Sequence, residues 1–162
     1  MTVDRFKKMF TYNYWANDKV WERILALSEE QFNQPCDYSI GSICDQLNHQ
    51  MMAEELWLTR IRGDGQAFNP SNFNNRDQIK VQWESVKQAW FDYLNTLSDD
   101  DLEAEITFVS VTYGTTFHNP RWEGIIQILN HSTDHRAQIL SLIHQVGGET
   151  SAQDFIFYTW GK

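Results

Sequence analysis

The sequence is poor in cysteine, and its two cysteines lack the spacing of a metal-binding or redox motif. Cys36 and Cys44 stand near the predicted start of the second long helix, with no CxxC pair or zinc-ribbon arrangement around them. In a reducing compartment such residues stay as free thiols. We therefore expect no disulfide bond, and we favour an inert structural role over nucleophilic catalysis for both.

Basic charge and long apolar runs are also scarce. The chain has 13 Lys and Arg against 22 Asp and Glu, which gives a net charge of −9 and a pI near 4.9. An acidic surface repels phosphate backbones and anionic lipids. No apolar run approaches the ~20 residues of a membrane span, and the first stretch, MTVDRFKKMFTYNYWANDKV, lacks a signal-peptide core. We expect a cytoplasmic protein that binds neither nucleic acid nor membrane.

Aromatic residues, in contrast, are abundant, with seven Trp, ten Phe and six Tyr among 162 residues. Many fall at helical spacing, so most of them are expected in a core. A chain of this length can bury a sizeable core without disulfide bonds or metal ions to stabilise it. With no internal repeat and no linker composition, we expect residues 1–162 to form a single domain.

Four long segments carry apolar residues at three- and four-residue steps, the pattern of amphipathic helices. Ser42 and Asp45 predict a capped start for the second segment, and Asn119 followed by Pro120 predicts the N-cap and first residue of the fourth. Four such stripes are buried best against each other, so the sequence predicts an all-α four-helix bundle. The expected helices run over residues 3–27, 43–63, 77–97 and 120–147.

The connections differ in composition and length. SEEQFNQPCDYSIG, after the first helix, and GDGQAFNPSNFNN, after the second, are predicted loops. The latter is short enough for antiparallel neighbours. The long link before the fourth helix, ITFVSVTYGTTFHN, is either a short hairpin or an irregular crossover. The tail, ETSAQDFIFYTWGK, is too apolar for water and is expected to pack across the bundle or against a second subunit.

Three of the five histidines fall in ILNHSTDHRAQILSLIH. His131 and His135, four residues apart, share one helix face with apolar residues. His144 is expected on the surface, and His118 in the preceding loop. His49, on the second helix, converges with the first pair if the two helices are neighbours. A metal ion satisfies several buried imidazoles at once.

Spacing alone leaves an alternative open. A histidine on an apolar face is more often bonded to a nearby carbonyl than to a metal, and HxxxH lacks the glutamate of the zincin HExxH motif. Glu54 and Glu55 are candidates for an acid, a base or a fourth ligand. A surface or salt-bridge role is favoured for at least one of them.

Several stretches together resemble the DinB family of bacterial four-helix-bundle proteins. YNYWAND resembles that family's first-helix signature, and SICDQLNHQMMAEELWLTR its second-helix pattern. LNHSTDHRAQI is similar to its His-x-x-x-His-Arg-x-Gln block on the last helix, and DFIFY fits the tail. The resemblance covers nearly the whole chain in the right order. It implies a metal site formed by His49, His131 and His135.

The resemblance also implies a chemistry. The wider superfamily includes bacillithiol transferases and mycothiol-dependent maleylpyruvate isomerase, so a metal-dependent thiol S-transferase, or a related hydrolase or isomerase, is expected to act on a small molecule. The expected ion is divalent, nickel or zinc, and a low-molecular-weight thiol is the expected co-substrate. Arg136 is expected to pair with an acid, Glu54 being one candidate, and Gln138 to orient a ligand or face substrate.

Two other readings stay open on the sequence. One is a non-catalytic, stress-related bundle protein that binds metal, which a fourth protein ligand closing the site would favour. The other is a plain helical dimer without metal. A homodimer is expected from the apolar tail and from Trp21, Trp57 and Trp160, which are predicted to be exposed.

Overall fold

The structure, a computed structural model, describes residues 1–63, 72–110 and 112–162. Four long helices dominate it, and the expected all-α four-helix bundle is confirmed. A two-stranded hairpin and two short helices complete the described part. In chain order the elements are α1 (Val3–Leu25), α2 (Glu29–Asn33), α3 (Ile43–Arg62), α4 (Arg76–Thr96), a 3₁₀ turn (Asp100–Glu103), β1 (Glu105–Ser110), β2 (Thr115–Pro120), α5 (Arg121–Gln145) and α6 (Phe155–Thr159).

Local side-chain chemistry sets the ends of α3, the helix that supplies His49. The Ser42 hydroxyl accepts from the Asp45 amide, and the Asp45 carboxylate accepts from the Ser42 amide, so the predicted capping box is present. At the other end Gly63 adopts a left-handed conformation with φ of 65°, and its amide donates to the Thr59 carbonyl. Glycine adopts this conformation without a Cβ penalty, which explains why the helix stops there.

Two predicted boundaries were wrong. The segment after α1 was predicted as a loop, but Ser28 and Gln31 form a second capping box that starts α2. Asn119 does not cap α5; it pairs with Ile106 in the hairpin and its amide donates to Glu123, so the helix begins one residue later than predicted. In both cases, residues that favour caps and turns form side-chain hydrogen bonds other than those predicted.

The expectation that α3 and α4 are antiparallel was also wrong. The Trp90 indole donates to the Glu54 carbonyl and the Tyr93 hydroxyl to the Ile61 carbonyl, so contacts advance in the same direction along both helices. A link of 13 residues separates the two helices. At about 3.3 Å per residue it can span more than the roughly 30 Å length of α3, so the chain can return to the same end. Part of that predicted loop, 64–71, lies outside the described residues.

The link before α5 is a hairpin, which decides between the two predicted alternatives. Strands β1 and β2 pair antiparallel with Phe108 opposite Phe117. Ile106 is buried and points from the hairpin toward Gly124 of α5, where an added Cβ would lie 3.1 Å from its Cδ1. The hairpin therefore packs against the start of α5, where Gly124 faces Ile61 of α3.

Most aromatic residues lie in the core, as expected. Phe10 and Trp90 are almost fully buried with ring centroids 4.7 Å apart. Trp21, predicted to be exposed, is 8% exposed because it packs in the core between α1 and α4; Trp160 is 60% exposed. No helix in the described part of the chain is both long enough and apolar enough to cross a membrane.

The C-terminal tail lies across the bundle through specific contacts with α1. The Tyr12 hydroxyl donates to the Gln153 carbonyl at 2.9 Å, and its ring meets that of Phe155 edge to face at 5.1 Å. The Ser151 hydroxyl donates to the Lys19 carbonyl. Of the two packing alternatives for the tail, the structure therefore shows contact with the chain's own bundle.

Candidate metal centre

Helix α5 presents the first two histidines of the site. His131 and His135 are four residues apart, so they lie one turn apart on the same helix face. Their ring centroids are 4.3 Å apart. His135 is 6% exposed and His131 is half-buried, so the pair sits at the edge of the core with access to solvent.

Helix α3 supplies the third histidine from the opposite side of a helix–helix seam. It runs antiparallel to α5, since His49 faces His135 near one end and Ile61 faces Gly124 near the other. The His49 ring centroid is 4.6 Å from that of His135 and 5.3 Å from that of His131. The three imidazoles therefore converge as the sequence predicted.

This group could hold a metal ion. One nitrogen from each ring can be chosen so that all three lie within 4.8 Å of one another. Zn–N bonds of about 2.0–2.1 Å in a tetrahedron place ligand nitrogens roughly 3.3 Å apart, a spacing that small ring rotations reach. In addition, the buried Nδ1 atom of His131 has no hydrogen-bond partner in the described part of the chain. A buried polar atom without a partner is costly, and coordination removes that cost.

The electrostatics keep the imidazoles in the form that binds cations. Burial lowers the pKa of all three, and for His131 the neighbouring His135 and His49 lower it further, to about 4. At neutral pH each ring is therefore neutral and has a lone pair free for an ion. Among the described residues no carboxylate or thiol joins the group as a fourth ligand.

Gln46 contacts the site directly and was not predicted. Its Oε1 lies 2.8 Å from Nδ1 of His135, and its side chain is fully buried. Gln46 precedes His49 by three residues, so the two share a face of α3. That spacing is a signal the sequence contains, but a glutamine one turn from a histidine is common, and its partner lies on another helix.

Glu54 is a buried carboxylate that joins the helices instead of ligating the site. Its Oε2 accepts from the Tyr14 hydroxyl at 3.0 Å and the Trp83 indole at 3.2 Å, and its Oε1 accepts from the Ser132 hydroxyl at 2.8 Å. These donors come from α1, α4 and α5. Burial raises the pKa of Glu54, while the three hydrogen bonds and the charge of Arg136 act in the opposite direction.

The expected pairing of Arg136 with an acid was wrong. Arg136 is 1% exposed and donates to Asn13, Thr133 and Gln153, so it ties α5 to α1 and the tail, with no ion pair to Glu54. Its charge still favours the ionised carboxylate and so opposes the rise in the Glu54 pKa that burial causes. Gln138 bonds to Ser39 and Asp134, and its expected role toward a ligand or substrate stays a prediction.

The remaining candidates lie elsewhere. His144 is exposed near the end of α5, as expected. His118 is in strand β2 rather than a loop, where its Nδ1 lies 3.2 Å from a Glu105 carboxylate oxygen. Both cysteines are free thiols, as expected; Cys44 is buried, and its thiol lies 3.3 Å from the Phe73 carbonyl.

Comparison with known proteins agrees with the helical bundle. The sequence model of the DinB family matches residues 1–162. The chain belongs to the DinB family. It is 25% identical to Protein DinB of Bacillus subtilis (strain 168) over an alignment of 169 residues that covers 93% of this chain and 91% of that protein.

A solved structure supports the fold of this DinB family member. The crystal structure of a DinB-like protein from Bacillus cereus ATCC 10987 superposes with a TM-score of 0.72, covering 93% of this chain and 97% of that one. The two sequences are 18% identical, so this likeness concerns the fold alone.

Proposed function

We propose that this chain is a metal-dependent enzyme that acts on a small molecule, with His49, His131 and His135 as the ligands of a divalent ion, nickel or zinc. The observation that carries the proposal is the donor set: three neutral imidazole nitrogens within 4.8 Å, with no fourth ligand among the described residues. Catalytic metal sites have three protein ligands and an open position, whereas structural sites are closed by a fourth.

The reaction we favour is transfer of a low-molecular-weight thiol to an electrophile, with hydrolysis or isomerisation as related outcomes. A divalent ion held by three neutral ligands keeps its full charge and lowers the pKa of a thiol or water that binds to it. The protein's own contribution is to hold three imidazoles unprotonated near neutral pH and half-open to solvent. Membership of the DinB family supports this class of chemistry without identifying the thiol.

A cavity along the same helix seam supports a small-molecule substrate. It has a volume of about 230 Å³. Its lining residues are Trp57, Asn119, Glu123, Gly124 and Gln127. Gln127 precedes His131 by one helical turn, about 6 Å along α5. None of the three histidines lines it, so we propose that it receives the distal part of a substrate whose reactive end lies at the histidines.

The test uses untagged protein loaded separately with nickel or zinc and stripped of metal. We expect metal-loaded protein to accelerate the conjugation of bacillithiol or glutathione to a chromogenic electrophile, and expect His135→Ala, prepared identically, to lose that acceleration. If loaded wild-type protein gives the uncatalysed rate with every thiol tried, the transferase proposal is wrong. A bound ion without turnover would then support the non-catalytic metal-binding alternative.

The other expectations about partners stay predictions. We propose a cytoplasmic homodimer that binds neither nucleic acid nor membrane, on the strength of the net charge of −9 and the apolar tail. Phe155 and Trp160 of that tail are 38% and 60% exposed. Light scattering at several concentrations would measure the oligomeric state.

A further inference from the structure

Gln46 is the one described side chain that hydrogen-bonds a ring nitrogen of the three-histidine group, and it does so across the seam. It stands on α3, one turn before His49, yet its Oε1 lies 2.8 Å from Nδ1 of His135 on α5. The side chain is fully buried, so water does not compete for this contact. The site is thus supported by one residue that touches a histidine of the opposite helix.

The contact decides which nitrogen of His135 is free. A neutral imidazole carries one proton, and a hydrogen bond to one ring nitrogen fixes the state of the other. With an acceptor oxygen at Nδ1, the proton stays on Nδ1 and the lone pair is left on Nε2. If the amide were rotated to put its nitrogen there, the proton would move to Nε2 and block ligation through that atom.

The amide of Gln46 has no second partner to fix its orientation. Its Nε2 atom is buried and makes no hydrogen bond within the described residues. The contact with His135 is therefore the one hydrogen bond of the Gln46 side chain among the described residues, and its oxygen at Nδ1 requires the ring proton on Nδ1. Since protein groups that support a ligand typically change metal affinity by about 10- to 100-fold, this coupling is strong enough to measure.

We propose that Gln46 is a positioning residue that holds His135 as the Nδ1–H tautomer, so that His135 ligates through Nε2. This inference rests on the proposed metal site, because a tautomer preference has a function only if the ring binds an ion. Gln46 itself does not ligate and does not touch substrate. Its effect is confined to the state and direction of one imidazole.

The experiment compares three variants of untagged protein by competition with a chromophoric zinc chelator. Gln46→Leu removes the acceptor at similar volume, and we expect zinc affinity to fall about 10- to 100-fold. Gln46→Glu keeps an acceptor oxygen beside the ring and, as a carboxylate, has no donor to present to it. We expect its zinc affinity to be within about threefold of wild type. Carboxylate–histidine–metal arrangements provide this kind of support in other proteins.

The matched control is Gln50→Leu, on the same helix. Gln50 is also fully buried, but its side chain donates to Asn17 and, among the described residues, makes no hydrogen bond to the three histidines. We expect this variant to lose stability without losing zinc affinity. Equal losses of affinity in Gln46→Leu and Gln50→Leu, or a failure of Gln46→Glu to restore it, would overturn the inference.

A second measurement separates this inference from the metal site itself. Long-range ¹H–¹⁵N spectra of the zinc-loaded protein should show the His135 proton on Nδ1, and a proton on Nε2 would contradict the proposal. If wild-type protein binds no ion, the proposed function fails first. The metal-free spectra then still test Gln46: we expect Nδ1–H in wild type and loss of that preference in Gln46→Leu, and an unchanged tautomer would refute the role.

Discussion

Replacement of Glu54 by leucine should destabilise the fold strongly. The carboxylate is fully buried and accepts from Tyr14, Trp83 and Ser132. In Glu54→Leu three buried donors lose their acceptor, and each donor that stays unpaired costs about 1–3 kcal/mol. The Ser132 hydroxyl can turn to a carbonyl of its own helix, which leaves the Tyr14 hydroxyl and the Trp83 indole unpaired. We therefore expect a loss of about 2–6 kcal/mol, a large part of a typical stability of about 5–15 kcal/mol.

Glu54→Gln is the matched comparison. One amide oxygen can accept from both Tyr14 and Trp83, while the amide nitrogen can donate to the Ser132 hydroxyl, so every partner keeps a hydrogen bond. We expect a loss below about 2 kcal/mol, since neutral hydrogen bonds replace charge-assisted ones while the cost of burying a charge disappears. Urea unfolding of metal-free protein, followed by tryptophan fluorescence, measures both variants. Equal stability of wild type and Glu54→Leu would refute the hydrogen-bond account.

Three further predictions follow from the same contacts. Burial raises the Glu54 pKa from its ordinary value near 4.5, so the folded protein binds this proton more tightly than the unfolded chain does. The stability of wild type relative to Glu54→Gln should therefore fall as pH rises above about 4.5. A constant difference in stability across pH 4–8 would contradict this prediction. Gly124→Ala should destabilise the protein by up to about 2 kcal/mol. The added Cβ would lie 3.0 Å from Ile61 Cγ1, and the cost of this overpacking outweighs the gain of about 1 kcal/mol in helix propensity. A more stable variant would be inconsistent with the close packing of α3 and α5. Arg136→Met should loosen the tail, because it removes the hydrogen bond from Arg136 to Gln153. We expect faster amide hydrogen exchange over residues 149–162, with exchange in α3 little changed. Unchanged exchange in the tail would contradict the role of Arg136 in holding it.

The long helices and the convergence of the three histidines could be predicted from the sequence. Apolar spacing and the Ser42 capping box gave α3 its start, and Gly63 gave its end, because these signals act within one or two turns of chain. The same kind of signal, Ser28 with Gln31, starts α2, but it lies in a stretch whose composition, including Pro35, predicts a loop. His131 and His135 were predicted to share a face because helix geometry alone places them there.

The direction of α4 and the surroundings of the site were not accessible from the pattern. A link of 13 residues permits either direction, and tertiary packing selects between them. Glu54 looked like a candidate ligand because its three donors come from other helices and have no sequence relation to it. The contact of Gln46 with the site could not be predicted for the same reason, since its partner His135 is 89 residues away in the chain.

The most direct test of the metal centre is the metal content of untagged wild-type protein and of His49→Ala, His131→Ala and His135→Ala, after reconstitution with zinc or nickel and removal of loosely bound ion. His118→Ala, outside the group, is the control. The account predicts about one ion per chain in wild type and control, and loss of that ion in each of the three variants. Wild-type protein without metal after reconstitution, or full occupancy in all three variants, would contradict it.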